Sequence, residues 1–300
     1  MTGRRIEPPA DDADVPRYWR ALGLPGLVDV HVHFLPPRVQ EKVWAYFAAG
    51  EQNYGAAWPV HYPLPEEQRV AVLDRLGVRA FPTLPYPHKP GMAGWLNEWS
   101  AAFAAAHPQV LRSATFYPEP EAPAHVEAAL AAGVRVFKVH VQVGRFDPRD
   151  ALLAPVWARL EEAGTPVVIH CGSGPLRGEH TGPVPMTGLL ERHPRLQLVI
   201  AHLGMPEYAD FLDLAGRYER VHLDTTMFAT DFVERLMPFD PALRPRLTAL
   251  RDKVLLGSDF PSIPYPYAHQ LAALDRLDLG EEWLRAVLWH NGARLFGVAA

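Results

Sequence analysis

Asp29-Val-His31-Val-His33 places an acid and two imidazoles at alternate positions. In an extended strand such residues share one face, so both imidazoles could converge on one cation, with nitrogens about 2.0–2.1 Å from it. Fourteen histidines in 300 residues make one such pair unsurprising. Further donors change the balance. Pro166-Val-Val-Ile-His170, Leu198-Val-Ile-Ala-His202 and Leu255-Leu-Gly-Ser-Asp259 each finish an apolar run with a possible ligand, and a further run ends at Asp224. Lys138, His170, His202, Asp224 and Asp259 follow one another at roughly 32, 32, 22 and 35 residues, near the ~30-residue βα repeat. Residues one repeat apart, at equal height on adjacent strands, meet over one end of a sheet. A set of buried polar rings without partners there would cost several kcal/mol. A metal ion removes that cost by taking their lone pairs.

The elements that must carry these residues are legible as a recurring pair. Apolar runs at Leu27–His33, Val110–Tyr117, Val134–Val141, Pro166–His170, Gln197–His202, Arg220–Thr225 and Val254–Asp259, with a weaker one at Arg79–Leu84, read as strands. They are almost continuously apolar, the pattern of strands covered on both faces. Amphipathic stretches such as Glu121–Ala132, Leu153–Ala163 and Tyr208–Tyr218 lie between them, with apolar residues three and four apart. Eight strands alternating with helices fit a closed barrel or an open doubly wound sheet. No Gly-x-Gly-x-x-Gly turn follows the first strand, and polar residues end nearly every run, as at the mouth of a (β/α)8 barrel. The expectation is a TIM-type α/β barrel in one domain, residues 27–300, with loop insertions and an N-terminal extension, residues 1–26. His107 and His193, each followed by proline before a strand, read as helix caps with no catalytic part.

On these motifs the chain resembles the amidohydrolase superfamily, and within it the branch that holds aminocarboxymuconate-semialdehyde decarboxylase and several lactone hydrolases. The resemblance runs from Asp29 to the Asn291–Phe296 segment. It is carried by Asp29-Val-His-Val-His33, Pro166–His170, Ile200-Ala-His202-Leu-Gly204 and Leu256-Gly-Ser-Asp259-Phe-Pro261. The resemblance implies one divalent ion, zinc before manganese, held by His31, His33, His170 and Asp259. It also implies that His202 assists catalysis beside the ion, with Asp259 sharing in proton transfer. Binuclear members use a modified lysine, so Lys138 and His140 are candidates for a second ion, or for contact with an anionic substrate group. A plain ion pair of Lys138 with Asp224 is the simpler reading. Asp29 and Asp224 are expected to support the ligands from behind. Arg145, Tyr86, His88 and Tyr265 are the loop residues proposed to meet substrate.

The expected reaction is hydrolysis of an amide, ester or lactone of a small molecule by metal-activated water. The alternative is non-oxidative decarboxylation of an unsaturated or aromatic acid, with Lys138 or Arg145 near the carboxylate. A barrel that binds a metabolite without turnover is disfavoured by the intact donor set. Net charge is −5 with no Lys/Arg cluster, which argues against nucleic acid as partner. The lone Cys171 excludes an intramolecular disulfide framework. No secretory pattern precedes Arg20 and no run of eighteen apolar residues could span a bilayer, so a cytoplasmic enzyme is expected, with homo-oligomerisation left open.

Overall fold

The computed structural model describes residues 6–299. Its strand segments are β1 (Leu27–Val28), β2 (Val78–Pro82), β3 (Val110–Leu111), β4 (Ser113–Thr115), β5 (Val136–His140), β6 (Val167–His170), β7 (Leu198–Ile200), β8 (Val221–Asp224) and β9 (Val254–Leu255). The first three pair in order, and β4 to β9 pair in chain order. β3 and β4 are two halves of one run parted at Arg112: the first half pairs with β2 and the second with β5, both parallel. The remaining seam lies beyond β1 and β9. There Val30 N–H donates to Leu256 O at 2.8 Å, Asp259 N–H to His31 O at 2.9 Å and His33 N–H to Phe260 O at 2.7 Å. A parallel bridge joins Val32 and Phe260. The chain is an eight-stranded α/β barrel.

Strands with both faces covered leave little room for polar residues, and β6 and β7 are buried throughout. The outer helices fall where the periodicity places them, at Ala122–Ala131, Ala154–Ala163 and Tyr208–Arg217. The last buries Tyr208, Phe211, Leu212, Leu214 and Ala215, one stripe turned to the barrel. His107 and His193 are the residues that end Ala93–Ala106 and Pro183–Arg192. Before the barrel, the helix Val15–Ala21 packs against it: Trp19 Nε1–H donates to Leu76 O at 3.0 Å, and Tyr18 OH to Asp275 Oδ1 at 2.9 Å. Residues 1–5 of the expected extension and residue 300 of the expected barrel lie outside the described residues. No helix among the described residues is long and apolar enough to cross a membrane.

Several runs end sooner as strands than their composition suggests. Gln197–His202 is a strand only to Ile200, and Val254–Asp259 only to Leu255. The reason is conformational. His202 and Asp259 sit at φ 57° and 70°, outside the β region, although Asp259 N–H still bonds across the seam.

Candidate active site

Beyond β1 the chain stays extended, held by the bonds to Leu256 and Phe260, so alternation turns His31 and His33 the same way. Their Nε2 atoms lie 3.2 Å apart. Asp259 arrives from the turn after β9, with Oδ1 3.1 Å from His33 Nε2 and 3.6 Å from His31 Nε2. Among the described residues, this is the one group of three such side chains whose donor atoms all lie within 4.8 Å of one another.

The far ring nitrogens decide what these atoms can do. His31 Nδ1 is 2.8 Å from Asp224 Oδ2, and His33 Nδ1 is 3.0 Å from Leu84 O. Carboxylate and carbonyl oxygens only accept, so each Nδ1 carries the proton and each Nε2 keeps its lone pair. Two imidazole lone pairs and a carboxylate oxygen thus face one point; Lys138 Nζ meets only the His31 lone pair, and a cation at the shared point relieves the repulsion of all three. Four donors about 2.0–2.1 Å from a tetrahedral ion stand roughly 3.3–3.4 Å apart. The observed 3.1, 3.2 and 3.6 Å bracket that spacing. The residues fit a divalent ion.

His170 is not in that group. Its Nε2 faces Gly174 O at 3.0 Å, which leaves Nδ1 as the nitrogen with a lone pair, and its ring lines the same cavity. The His140 ring stacks on it at 3.9 Å and 12°. His140 Nδ1 is taken up by the Val143 N–H at 3.3 Å. His202 stands edge-on to both His31 (5.1 Å) and His170 (4.7 Å), and its buried Nδ1 has no hydrogen-bond partner among the described residues.

Behind the rings, Asp224 accepts on both oxygens: from His31 on one, and from the His202 and Thr226 backbone N–H groups on the other, at 2.9 and 3.1 Å. Burial opposes its charge, but His31 and the other donors hold the carboxyl well below the usual range. Asp29 accepts from His31 N–H at 3.1 Å and from Tyr267 OH at 2.8 Å, and burial pushes it up to about 7. Burial brings His31 and His202 down to about 4. Lys138 is fully buried, and its ammonium falls to about 8 for the same reason. Its contact is not the expected Asp224. Nζ lies 3.1 Å from His31 Nε2, because Asp224 is already engaged by His31 and two N–H groups.

A cavity of about 870 Å³ opens over these residues and includes Tyr86, His88 and Arg145 in its walls. Tyr265 is not among them. It is buried, with its OH 3.4 Å from Gln270 Oε1, so the aromatic loop residue turns inward to packing. Sequence reasoning missed the Leu84 carbonyl, which no side-chain pattern reveals. It also missed Lys42 and Lys89 in the walls, although three of the chain's four lysines line this cavity.

A family model described as amidohydrolase matches residues 28–298. The chain belongs to the amidohydrolase family. It is therefore an enzyme of amidohydrolase type, and that family implies a divalent metal. No curated protein matches the sequence. Among solved structures, this amidohydrolase is similar to an uncharacterised TIM-barrel protein from Bordetella bronchiseptica (20% identity, 90% of this chain and 99% of that one, TM-score 0.71). It is similar to a protein assigned as a 2-pyrone-4,6-dicarboxylic acid hydrolase from Pseudomonas putida (19% identity, 91% and 98%, TM-score 0.61). A 5-carboxyvanillate decarboxylase from Novosphingobium aromaticivorans, a D314N mutant with bound manganese and 3-methoxy-4-hydroxy-5-nitrobenzoic acid, is also similar (16% identity, 92% and 99%, TM-score 0.60).

Proposed function

We propose that this amidohydrolase cleaves an ester, lactone or amide of a small molecule at one divalent ion held by His31, His33, Asp259 and His170. The convergence of three acceptor atoms, of which only His31 Nε2 has a proton donor beside it (Lys138 Nζ), carries this reading. His170 joins through Nδ1, the nitrogen that the Gly174 carbonyl leaves free. When bound, the ion supplies a Lewis acid for the substrate oxygen and brings the pKa of water to about 7. Zinc suits a histidine-rich set; manganese is the alternative, being the ion in the Novosphingobium enzyme.

His202 accepts a proton from water and returns it to the leaving atom; its ring beside both His31 and His170, with one nitrogen unpartnered among the described residues, supports this. Asp259 offers its second oxygen as a further acceptor. Lys138, at the cavity floor, and Arg145, in its wall, bind a negatively charged substrate oxygen, and Tyr86 and His88 shape the space beside them. His140 braces His170 by stacking and holds no second ion. A cytoplasmic setting suits the single buried thiol, Cys171.

The buried Lys138 favours one second reading, decarboxylation of an aromatic or unsaturated acid, in which that ammonium holds the carboxylate. Incubating the purified enzyme with lactone, ester and hydroxybenzoate panels tests both. Acid release without carbon dioxide is the expected result, and carbon dioxide without a hydrolytic product overturns it. Elemental analysis tests the centre: about one ion per chain is expected. Under about a tenth rejects the ligand set, and near two, with one lost in Lys138→Ala, rejects a mononuclear site.

A further inference from the structure

The helix Pro37–Ala48 buries only Gln40, whereas Tyr267–Arg276, of similar length, buries six residues. Yet it has an ordered face. Arg38, Val39, Lys42, Val43, Tyr46 and Phe47 recur at helical spacing, and all of them line the cavity. The stripe that would ordinarily seal against a core is turned to the cavity instead. At about 1.5 Å per residue it runs roughly 13 Å from Arg38 to Phe47. It ends in an aromatic corner where Phe47 lies 5.0 Å from Trp58, whose Nε1–H donates to Ser262 O in the turn that carries Asp259.

Charge is uneven in the same place. Among the described residues, the cavity walls carry five cationic side chains and one carboxylate, Asp259, in a chain whose net charge is −5. Arg38, Lys42 and Lys89 make no ion pair with any described residue. Lys42 and Lys89 are close enough to His88 to disfavour its protonation, adding to the effect of burial. Like charges gathered without a counter-ion around an apolar stripe are complementary to an anion with a hydrophobic body. At 870 Å³ the cavity is also near the top of the ~300–1,000 Å³ range of small-molecule sites, more than a one-ring acid fills.

We propose that the substrate is an elongated amphipathic anion. Its apolar body lies along Val39, Val43 and Phe47, Lys42 and Lys89 with Arg38 hold its charged end at the mouth, and its reacting group is at the other end. The last clause rests on the metal-centred reading above; the first two do not.

Calorimetric titration of the purified enzyme with butanoate, decanoate and decyltrimethylammonium tests this. Decanoate is expected to bind about a hundredfold more tightly than butanoate, from partial burial of six methylenes. The cationic analogue is expected not to bind. Lys42→Glu with Lys89→Glu is expected to weaken decanoate about tenfold, more at low salt, without lowering metal content or melting temperature. Equal affinities for the two acids, binding of the cation, or indifference to the two charge reversals overturns the proposal. Metal content of the same samples reports separately: protein without an ion that still shows this selectivity supports the amphipathic site and rejects the metal centre.

Discussion

His31 shows how much depends on which nitrogen holds the proton. Asp224 takes the Nδ1 proton with one oxygen and two backbone N–H groups with the other, a task for an all-acceptor side chain. In Asp224→Asn one of these donors must face an amide N–H. If that donor is His31, its proton moves to Nε2 and blocks the lone pair. Chelator competition is expected to show metal affinity about 10–100-fold weaker in this variant, with the fold intact by circular dichroism. His31→Ala and His33→Ala are each expected to lose the ion outright by elemental analysis. His202→Ala is expected to keep it while turnover falls about 10²–10⁴-fold, the span of a general acid–base group. Retained turnover in that variant removes His202 from the reaction.

The strand ends of the barrel concentrate unusual backbone. Leu84, Arg145, His202, Met227 and Asp259 have positive φ, and each lines the cavity or, as Leu84 does, holds a residue that lines it. Such conformations cost of order 1–3 kcal/mol each and persist where the surrounding structure over-determines them. Here the paired strands below supply that constraint. The turn after β9 is equally tight. A Cβ on Gly257 would come 2.2 Å from Thr226 Oγ1 and 2.9 Å from His31 Cβ. Gly257→Ala is therefore expected to lower unfolding stability by about 1–3 kcal/mol in urea titration. Because the clash presses on His31, it is expected to weaken metal retention too; a neutral variant contradicts the close packing described.

On the scale of the whole molecule, distant strands are tied by a shared ligand. An ion bound only in the folded state adds RT ln(1 + [L]/Kd) to stability, about 4 kcal/mol at a thousandfold excess over Kd. Chelated enzyme is expected to melt several degrees lower, and re-addition of zinc or manganese to restore the transition; an unchanged melting curve argues against a tight site. The field also acts at this scale. A cavity with an excess of cations in an acidic chain draws anions inward, so kcat/KM for an anionic substrate is expected to fall as salt rises. A salt-independent kcat/KM contradicts that steering.

Much of this was legible along the chain. Apolar runs alternating with amphipathic ones mark a parallel α/β fold, and the polar residues that end those runs favour a barrel and mark its mouth, because strand periodicity and burial are local properties of sequence. The pairing of His31 with His33 follows from alternation alone. Tertiary structure decided the rest. It gave Asp224 to His31 rather than to Lys138, turned Tyr265 into the packing, and drew the Leu84 carbonyl to His33. It also turned the Arg38–Phe47 stripe toward the cavity. The directions of the Asp224, Lys138 and Leu84 groups are fixed against residues 51 to 193 positions away, and they are set only when the strands close into a ring.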